Sequence, residues 1–237
     1  VRKSLQGLTA LITGGSRGIG YAIARVFARE GANLVLVARD EERLARAKRA
    51  IESDFNVQVE IISCDVRDYS CAEKAVSISV SKFGRLDILV NNAGTAVRKP
   101  FYNMSRQEID EIIDTNLKGL IYFTLEAVKI MIRQGGGVIV NISSGAGKAG
   151  IPELAVYSAS KAGVNMFTEA IARELRRFNI RVYAVCPGGT DTDLHRRLFP
   201  EHRPEWLLRP EEVAELVLKL VVEGGVEGYC YDIFRLV

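Results

Sequence analysis

Histidine and tryptophan are nearly missing from this 237-residue chain, which has two of the first and one of the second. Both histidines, His195 and His202, fall in one loop-like stretch rather than after a core strand. A Ser/His/Asp hydrolase therefore has no suitable base. The four cysteines, Cys64, Cys71, Cys186 and Cys230, form no CxxC pair and stand singly in apolar stretches. Disulfide scaffolds and structural zinc sites need clustered thiols, so reduced, buried cysteines are expected, and no metal site. Proline is scarce, and no Pro/Gly/Ser-rich linker divides the chain, which makes residues 1–237 one domain. No apolar run approaches the roughly 18–20 residues of a membrane span. The opening Val1-Arg2-Lys3-Ser4-Leu5 holds no signal-peptide core. A soluble, cytoplasmic protein with no membrane partner is the expectation. An excess of one charge is lacking too: 32 Lys+Arg stand against 29 Asp+Glu, and no basic run is interleaved with aromatics. A nucleic-acid partner is not expected. Nor is a P-loop signature present, which removes P-loop kinases and GTPases.

What the sequence does have is alternation. Short β-branched runs stand at Leu8–Ile12, Asn33–Val37, Val57–Ile62, Leu86–Val90, Val138–Ile142, Ile180–Val185 and Tyr229–Phe234. Helical periodicity fills Gly18–Arg29, Glu41–Asp54, Cys71–Lys82, Arg106–Arg133, Ala155–Phe178 and Glu211–Val222. The strands are apolar almost throughout, as strands covered on both faces must be. The pattern predicts an α/β fold, a doubly wound Rossmann-type parallel sheet with right-handed crossovers. The segment from Pro187 to Pro210 breaks this economy, and its core around residues 190–210 is expected to form a substrate lid.

The first strand runs into Thr13-Gly14-Gly15-Ser16-Arg17-Gly18-Ile19-Gly20, then a helix. A glycine-rich strand-to-helix turn lets backbone amides approach a pyrophosphate at the positive helix end. The spacing is Gly14-x-x-x-Gly18-x-Gly20, not G-x-G-x-x-G. This pattern resembles the short-chain dehydrogenase/reductase family, whose members bind NAD or NADP on a Rossmann fold. Asn91-Asn92-Ala93-Gly94 after the fourth strand is similar to the family's NNAG. Asp65, followed by Val66, stands where the family places an acid near adenine. Asn116 in the long helix, Tyr157-Ser158-Ala159-Ser160-Lys161, Asn141-Ile142-Ser143-Ser144 and Cys186-Pro187-Gly188-Gly189-Thr190 resemble further family motifs in the right order.

The resemblance implies strand order 3-2-1-4-5-6-7 and a catalytic set of Asn116, Ser144, Tyr157 and Lys161. Its cofactor contacts are Gly14, Ser16, Arg17, Gly18, Ile19, Gly20, Arg39, Asp65, Val66, Asn92, Ala93, Gly94, Tyr157, Lys161, Pro187, Gly188 and Thr190. Tyr157 and Lys161 stand one helical turn apart on one face. An ammonium and a positive nicotinamide beside the phenol favour its phenolate and lower its pKa from about 10. Tyr157 is then the proton donor in reduction. The family's serine stands about thirteen residues before the tyrosine, which selects Ser144 as donor to the substrate oxygen. Ser143 better fits a serine satisfying a strand-end backbone group. Asn116 is implied to hold a water relaying protons from Lys161; its residue type alone suggests an exposed polar position.

The function expected is hydride transfer between NADP(H) and a carbonyl or alcohol substrate, as in 3-oxoacyl-acyl-carrier-protein reductases, with the acyl carrier protein a candidate partner. Rival readings are a catalytically silent NADP-binding scaffold or sensor and a sugar, polyol or general ketone dehydrogenase of the same family. NADPH is expected over NADH because Ala38 stands where an NAD-selecting acid would fall, with Arg39 next and Arg17 in the glycine turn. Asp40 is read as the N-cap of the following helix. Glu227–Asp232 stands in for a last strand lacking the family's VDGG-like ending. His195 is read as lid packing. Arg196, Arg197, Arg203 and Arg209 are weighed as a greeting for an acidic carrier or as solvated charge. Two long helices, with Ile109, Ile112, Ile113, Leu120, Phe123, Val164, Phe167 and Ile171, carry apolar surface for a homodimer or homotetramer.

Overall fold

The computed structural model describes residues 3–235, so Val1-Arg2 of the N-terminal stretch lie outside the described residues. Seven parallel strands form one sheet: β1 (Thr9–Thr13), β2 (Asn33–Ala38), β3 (Val59–Ser63), β4 (Ile88–Asn91), β5 (Gly137–Ile142), β6 (Ile180–Pro187) and β7 (Cys230–Ile233). Their order is β3-β2-β1-β4-β5-β6-β7, as the resemblance implies. Successive side chains of a strand point to opposite faces, and both faces here are covered. Ala10, Ile12, Leu34 and Leu36 pack toward α1 (Gly18–Arg29), α2 (Glu41–Asp54) and α8 (Pro210–Glu223). Their neighbours Leu11, Val35 and Val37 pack toward α3 (Tyr69–Phe83), α5 (Gly119–Gln134) and α6 (Ala155–Leu175). Phe27 on one side and Phe123 on the other are fully buried. Each such side chain contributes about 1.5–3 kcal/mol. Chain order reverses between β1 and β4, and this switch point opens the crevice where open α/β sheets bind ligands.

Asp40 caps α2 as expected, accepting from the Arg43 amide at 2.9 Å. The last strand also forms where expected, paired in parallel with β6. The predicted helix over 106–133 forms without interruption but is not α-helical throughout. It divides into α4 (Arg106–Ile113), a π-helical turn over Asp114–Lys118, and α5. The widened turn rotates Asn116 inward, so the residue is buried, not an exposed polar position. The helix over 155–178 ends in a 3-10 turn, Arg176–Phe178, stopped by Asn179 at φ +58°. Strand β4 starts later than the apolar pattern suggests, and Arg85 clasps Asp87 with contacts of 2.6 and 2.7 Å just before it.

The expectation of four reduced cysteines is corrected. Cys64 and Cys71 form a disulfide, with Cα atoms 5.9 Å apart. The chain between them folds back on itself, the Asp68 amide donating to Asp65 and the Cys71 amide to Asp68. This brings the end of β3 against the first turn of α3, a proximity that spacing in the sequence does not show. Cys186 and Cys230 are free thiols. The segment after β6 is not a plain loop: it holds α7 (Asp193–Leu198), a 3-10 turn (Pro204–Trp206) and a bridge between Thr190 and Leu208.

Candidate active site

The turn after β1 takes left-handed backbone at Gly14 (φ +67°) and Gly18 (φ +55°), a region open to glycine at little cost. A Cβ on Gly20 would overlap the Gly14 carbonyl oxygen and the Asn92 amide. The turn is stitched to the segment after β4. Thr13 Oγ1 accepts from the Asn92 and Ala93 amides at 3.0 and 3.1 Å, and Asn92 Nδ2 donates to the Thr13 and Gly14 carbonyls at 3.0 and 3.2 Å. The N-terminus of α1 begins at Arg17 with no side-chain cap, so its first amides remain available to an anion.

At the inner end, α6 presents Tyr157 and Lys161 on one face. Lys161 Nζ lies 5.9 Å from the Tyr157 ring centroid and donates to the Ile142 carbonyl at 2.8 Å. Ser144 Oγ accepts from the Ala146 amide at 3.2 Å, and its hydroxyl acts against the rise in the Tyr157 pKa. Ser143, by contrast, is buried and donates to the Lys161 carbonyl at 3.1 Å, the backbone role expected for it. Asn116 Oδ1 accepts from the Thr95 amide at 2.8 Å, while its Nδ2 donates to Thr95 O and Ser160 Oγ at 2.9 and 3.0 Å. The α-carbon of Gly94 faces both groups: a Cβ there would sit 3.4 Å from Asn116 Oδ1 and 3.7 Å from Lys161 Nζ.

Burial governs the titration of this pair. It raises the Tyr157 phenol above the ordinary tyrosine value, against an opposing effect of Ser144, and lowers the Lys161 ammonium to about 8. The lowered phenol pKa expected from a neighbouring ammonium is thus not what the protein alone produces. Desolvation of the phenol outweighs the opposing effect of Ser144.

At the outer end, Arg39 leaves β2 with its side chain 65% exposed and its guanidinium 4.0 Å from Glu111. Arg17 Nη1 bonds Asp193 Oδ2 at 3.0 Å, and Arg43 Nη1 approaches the same oxygen at 3.5 Å. Asp65 is clasped by Arg67 at 2.6 Å, which holds its carboxyl below the usual range.

These ends bound one cleft of about 500 Å³. It brings together Gly14, Ser16, Arg17, Gly18, Ile19, Arg39, Asp65, Val66, Asn92, Ala93, Gly94, Tyr157 and Lys161, as expected. Gly20, Asn116 and Ser144 are not part of its wall and act through the contacts above. Pro187, Gly188 and Thr190 stand apart from it as well, with Thr190 Oγ1 bonding the Gly188 carbonyl at 3.1 Å. Sequence reasoning missed Arg43, Thr192, Asp193 and Arg197 in the wall. Thr192 caps α7 by accepting from the His195 amide at 3.2 Å, and Thr192-Asp193 opening a helix was a legible signal. His195 packs within the segment after β6, 3.1 Å from His202 and beside Phe199. Arg196, Arg203 and Arg209 are matched within the chain by Asp191, Glu205 and Glu212. No group of three or more metal-ligating side chains occurs among the described residues. Nor, among them, is any helix long and apolar enough to cross a membrane.

A dinucleotide fits these residues. The uncapped α1 terminus and the Cβ-free approach at Gly14 and Gly20 suit a pyrophosphate, and the buried Lys161 ammonium uses one of its three donors on Ile142. Comparison with known proteins agrees. Residues 8–203 match the family model for short chain dehydrogenase. The 3-oxoacyl-(acyl-carrier-protein) reductase FabG of Chlamydia trachomatis is 36% identical over 92% of this chain and 91% of its own. The enzyme of that name from Thermotoga maritima is 38% identical, with 91% of each chain covered. A solved short-chain type dehydrogenase/reductase from Mycobacterium marinum superposes with a TM-score of 0.91 at 31% identity, covering 97% of this chain and 95% of that one. Levodione reductase superposes with a TM-score of 0.92 at 30% identity, over 97% of both chains. Sequence, fold and cleft together establish that the chain belongs to the short-chain dehydrogenase/reductase family, oxidoreductases that bind a nicotinamide cofactor.

Proposed function

We propose that the protein is an NADPH-dependent carbonyl reductase acting on a 3-oxoacyl thioester or a related ketone. The observation that carries this reading is the buried Lys161 one helical turn from Tyr157, its Nζ 5.9 Å from the centroid of the phenol ring, at the inner end of a cleft whose outer end is lined by three arginines. NADPH, when bound, supplies the hydride to the carbonyl carbon. Tyr157 gives its phenolic proton to the carbonyl oxygen, and its raised pKa keeps that proton in place at neutral pH. Ser144 turns its hydroxyl toward the same oxygen and stabilises the developing alkoxide. Lys161 supplies donors to the cofactor's ribose and a charge below the phenol. Asn116 holds the Thr95 carbonyl, in the segment after β4, and, through Ser160, the start of α6.

Ala38 and Arg39 support NADPH, since Ala38 stands at the end of β2 in place of an acid, the nearby Asp40 is engaged in capping α2, and an arginine fork suits a 2′-phosphate. The FabG relatives support the thioester and an acyl carrier protein as partner. We take residues 1–237 as one domain with the α7 segment as its lid. Exposed Leu125 and Ile132 on α5 and Met166 on α6 support pairing of these helices in a homodimer or homotetramer. Of the residues named from sequence for that role, Ile112, Leu120, Phe123 and Val164 are instead buried within the subunit. The test is a screen following NADPH absorbance with purified protein over β-ketoacyl thioesters, diketones, quinones and sugars. Turnover with β-ketoacyl thioesters is expected. Turnover confined to sugars, or to NADH, contradicts the reading.

A further inference from the structure

The two arginines at the outer end of the cleft already hold an anion, and it belongs to the protein. Asp193 Oδ2 lies 3.0 Å from Arg17 Nη1 and 3.5 Å from Arg43 Nη1, while Arg43 Nε also pairs with Asp40 at 3.0 Å; Arg17, Arg43 and Asp193 line the cleft with Arg39 and Asp40. The arginines come from the first and second crossovers, while Asp193 opens α7, some 176 residues from Arg17 in sequence. One carboxylate oxygen thus bridges two guanidinium groups from separate elements and draws the lid across the glycine turn. The lid also touches that turn directly: a Cβ on Gly18 would stand 3.2 Å from Thr192 Cγ2.

We propose that Asp193 is a cofactor-selectivity latch: it competes with the 2′-phosphate of NADP(H) for Arg17 and Arg43, and a cofactor carrying that phosphate releases α7 while NAD(H) does not. The inference rests on the NADPH reading above. Its physical basis is that two guanidinium groups converging on one oxygen have the donors a phosphate needs, arranged for an anion bridging them. Asp193 and the phosphate cannot both take this position. Displaced, Asp193 retains a partner in Arg196, whose Nη1 lies 3.7 Å from its other oxygen, so the carboxylate stays paired when α7 lifts. The contacts are half exposed, with Arg17 and Asp193 side chains 56% and 54% accessible, so exchange between the two anions carries little desolvation cost.

The test compares wild type, Asp193→Asn and Asp191→Asn. Asp191 carries the same charge on the same segment but bonds Arg196 and neither cleft arginine, so its variant controls for charge acting through space. Dissociation constants are read by fluorescence titration with NADPH, NADH and 2′,5′-ADP, and backbone hydrogen exchange is followed over residues 192–199. Asp193→Asn is expected to tighten NADPH and 2′,5′-ADP about 5-fold, with NADH within about 2-fold, and Asp191→Asn to change neither by as much; the expected gain corresponds to ~1 kcal/mol. Exchange of α7 should quicken in wild type with 2′,5′-ADP and in Asp193→Asn without ligand. Equal effects of the two Asp variants, equal effects on both cofactors, or α7 exchange unmoved by 2′,5′-ADP overturns the latch. If wild type binds NADH as tightly as NADPH, the cofactor reading fails and the latch falls with it. If NADPH is preferred and Asp193→Asn is silent, the latch alone fails.

Discussion

The two ends of the cleft are built on opposite principles. At the inner end Lys161 and Asn116 are buried and each is held by named partners: Lys161 on Ile142, and Asn116 on Thr95 and Ser160. At the outer end Arg17, Arg39, Arg43 and Asp193 are 41–65% exposed and trade partners across a surface. Buried polar groups are costly to leave unpaired, so the inner geometry has one arrangement. Exposed ion pairs contribute up to about 1 kcal/mol each, so the outer end can rearrange around a ligand. On the proposed function, chemistry that tolerates little displacement is assigned to the buried end, and discrimination between cofactors to the exposed one.

The contrast breaks most severely at the glycine turn that joins the two ends. Gly20→Ala places a methyl group into the Gly14 carbonyl and the Asn92 amide, two groups that are themselves bonded together. NADPH affinity is expected to fall more than about 100-fold, or ~2.7 kcal/mol, by fluorescence titration. Affinity within a few-fold of wild type would show that the turn does not set the cofactor's approach. The disulfide sharpens the contrast at the adenosine wall. Removing it with Cys71→Ser frees a short loop in the unfolded chain and should cost about 2–2.5 kcal/mol in denaturant melts, with the catalytic end unaffected. A variant as stable as wild type, or equal loss on reducing both proteins, would contradict this.

Lys161 provides a pH test of burial. Its ammonium falls to about 8 in the fold, while the unfolded chain titrates near about 10.4. Between these values the unfolded state binds more protons, so native stability rises with pH across that window, and the deficit is complete below it. Against Lys161→Met, wild type should gain about 2 kcal/mol between about pH 7 and about pH 9.5, measured by urea melts at each pH. A pH-independent difference would mean that Lys161 is not desolvated. At the outer end the expected effect is smaller. Ala38→Asp with Arg39→Leu should shift the NADPH/NADH ratio of kcat/KM about 10-fold toward NADH, or ~1.4 kcal/mol. An unchanged ratio removes Arg39 from selectivity.

The same contrast explains what could be read from sequence. Strand order, helix caps such as Asp40, the glycine spacing and Tyr157-x-x-x-Lys161 are local patterns, and the inner end follows from them. The π-turn that buries Asn116 was hidden because apolar periodicity runs on through it. The Cys64–Cys71 bond depends on a backbone turn that seven residues of spacing do not reveal. Asp193 meeting Arg17 and Arg43 is a long-range pairing of ordinary surface charges, and no local signal marks it.

The central claim is that Tyr157 gives the proton and that its loss leaves the rest of the cleft intact. Tyr157→Phe removes the phenolic oxygen alone, and its kcat with the best substrate from the screen should be compared with its NADPH dissociation constant. Turnover is expected to fall to near background while NADPH binding stays within about 3-fold of wild type. Retention of more than about a tenth of wild-type kcat, a barrier change under ~1.4 kcal/mol, would contradict the assignment.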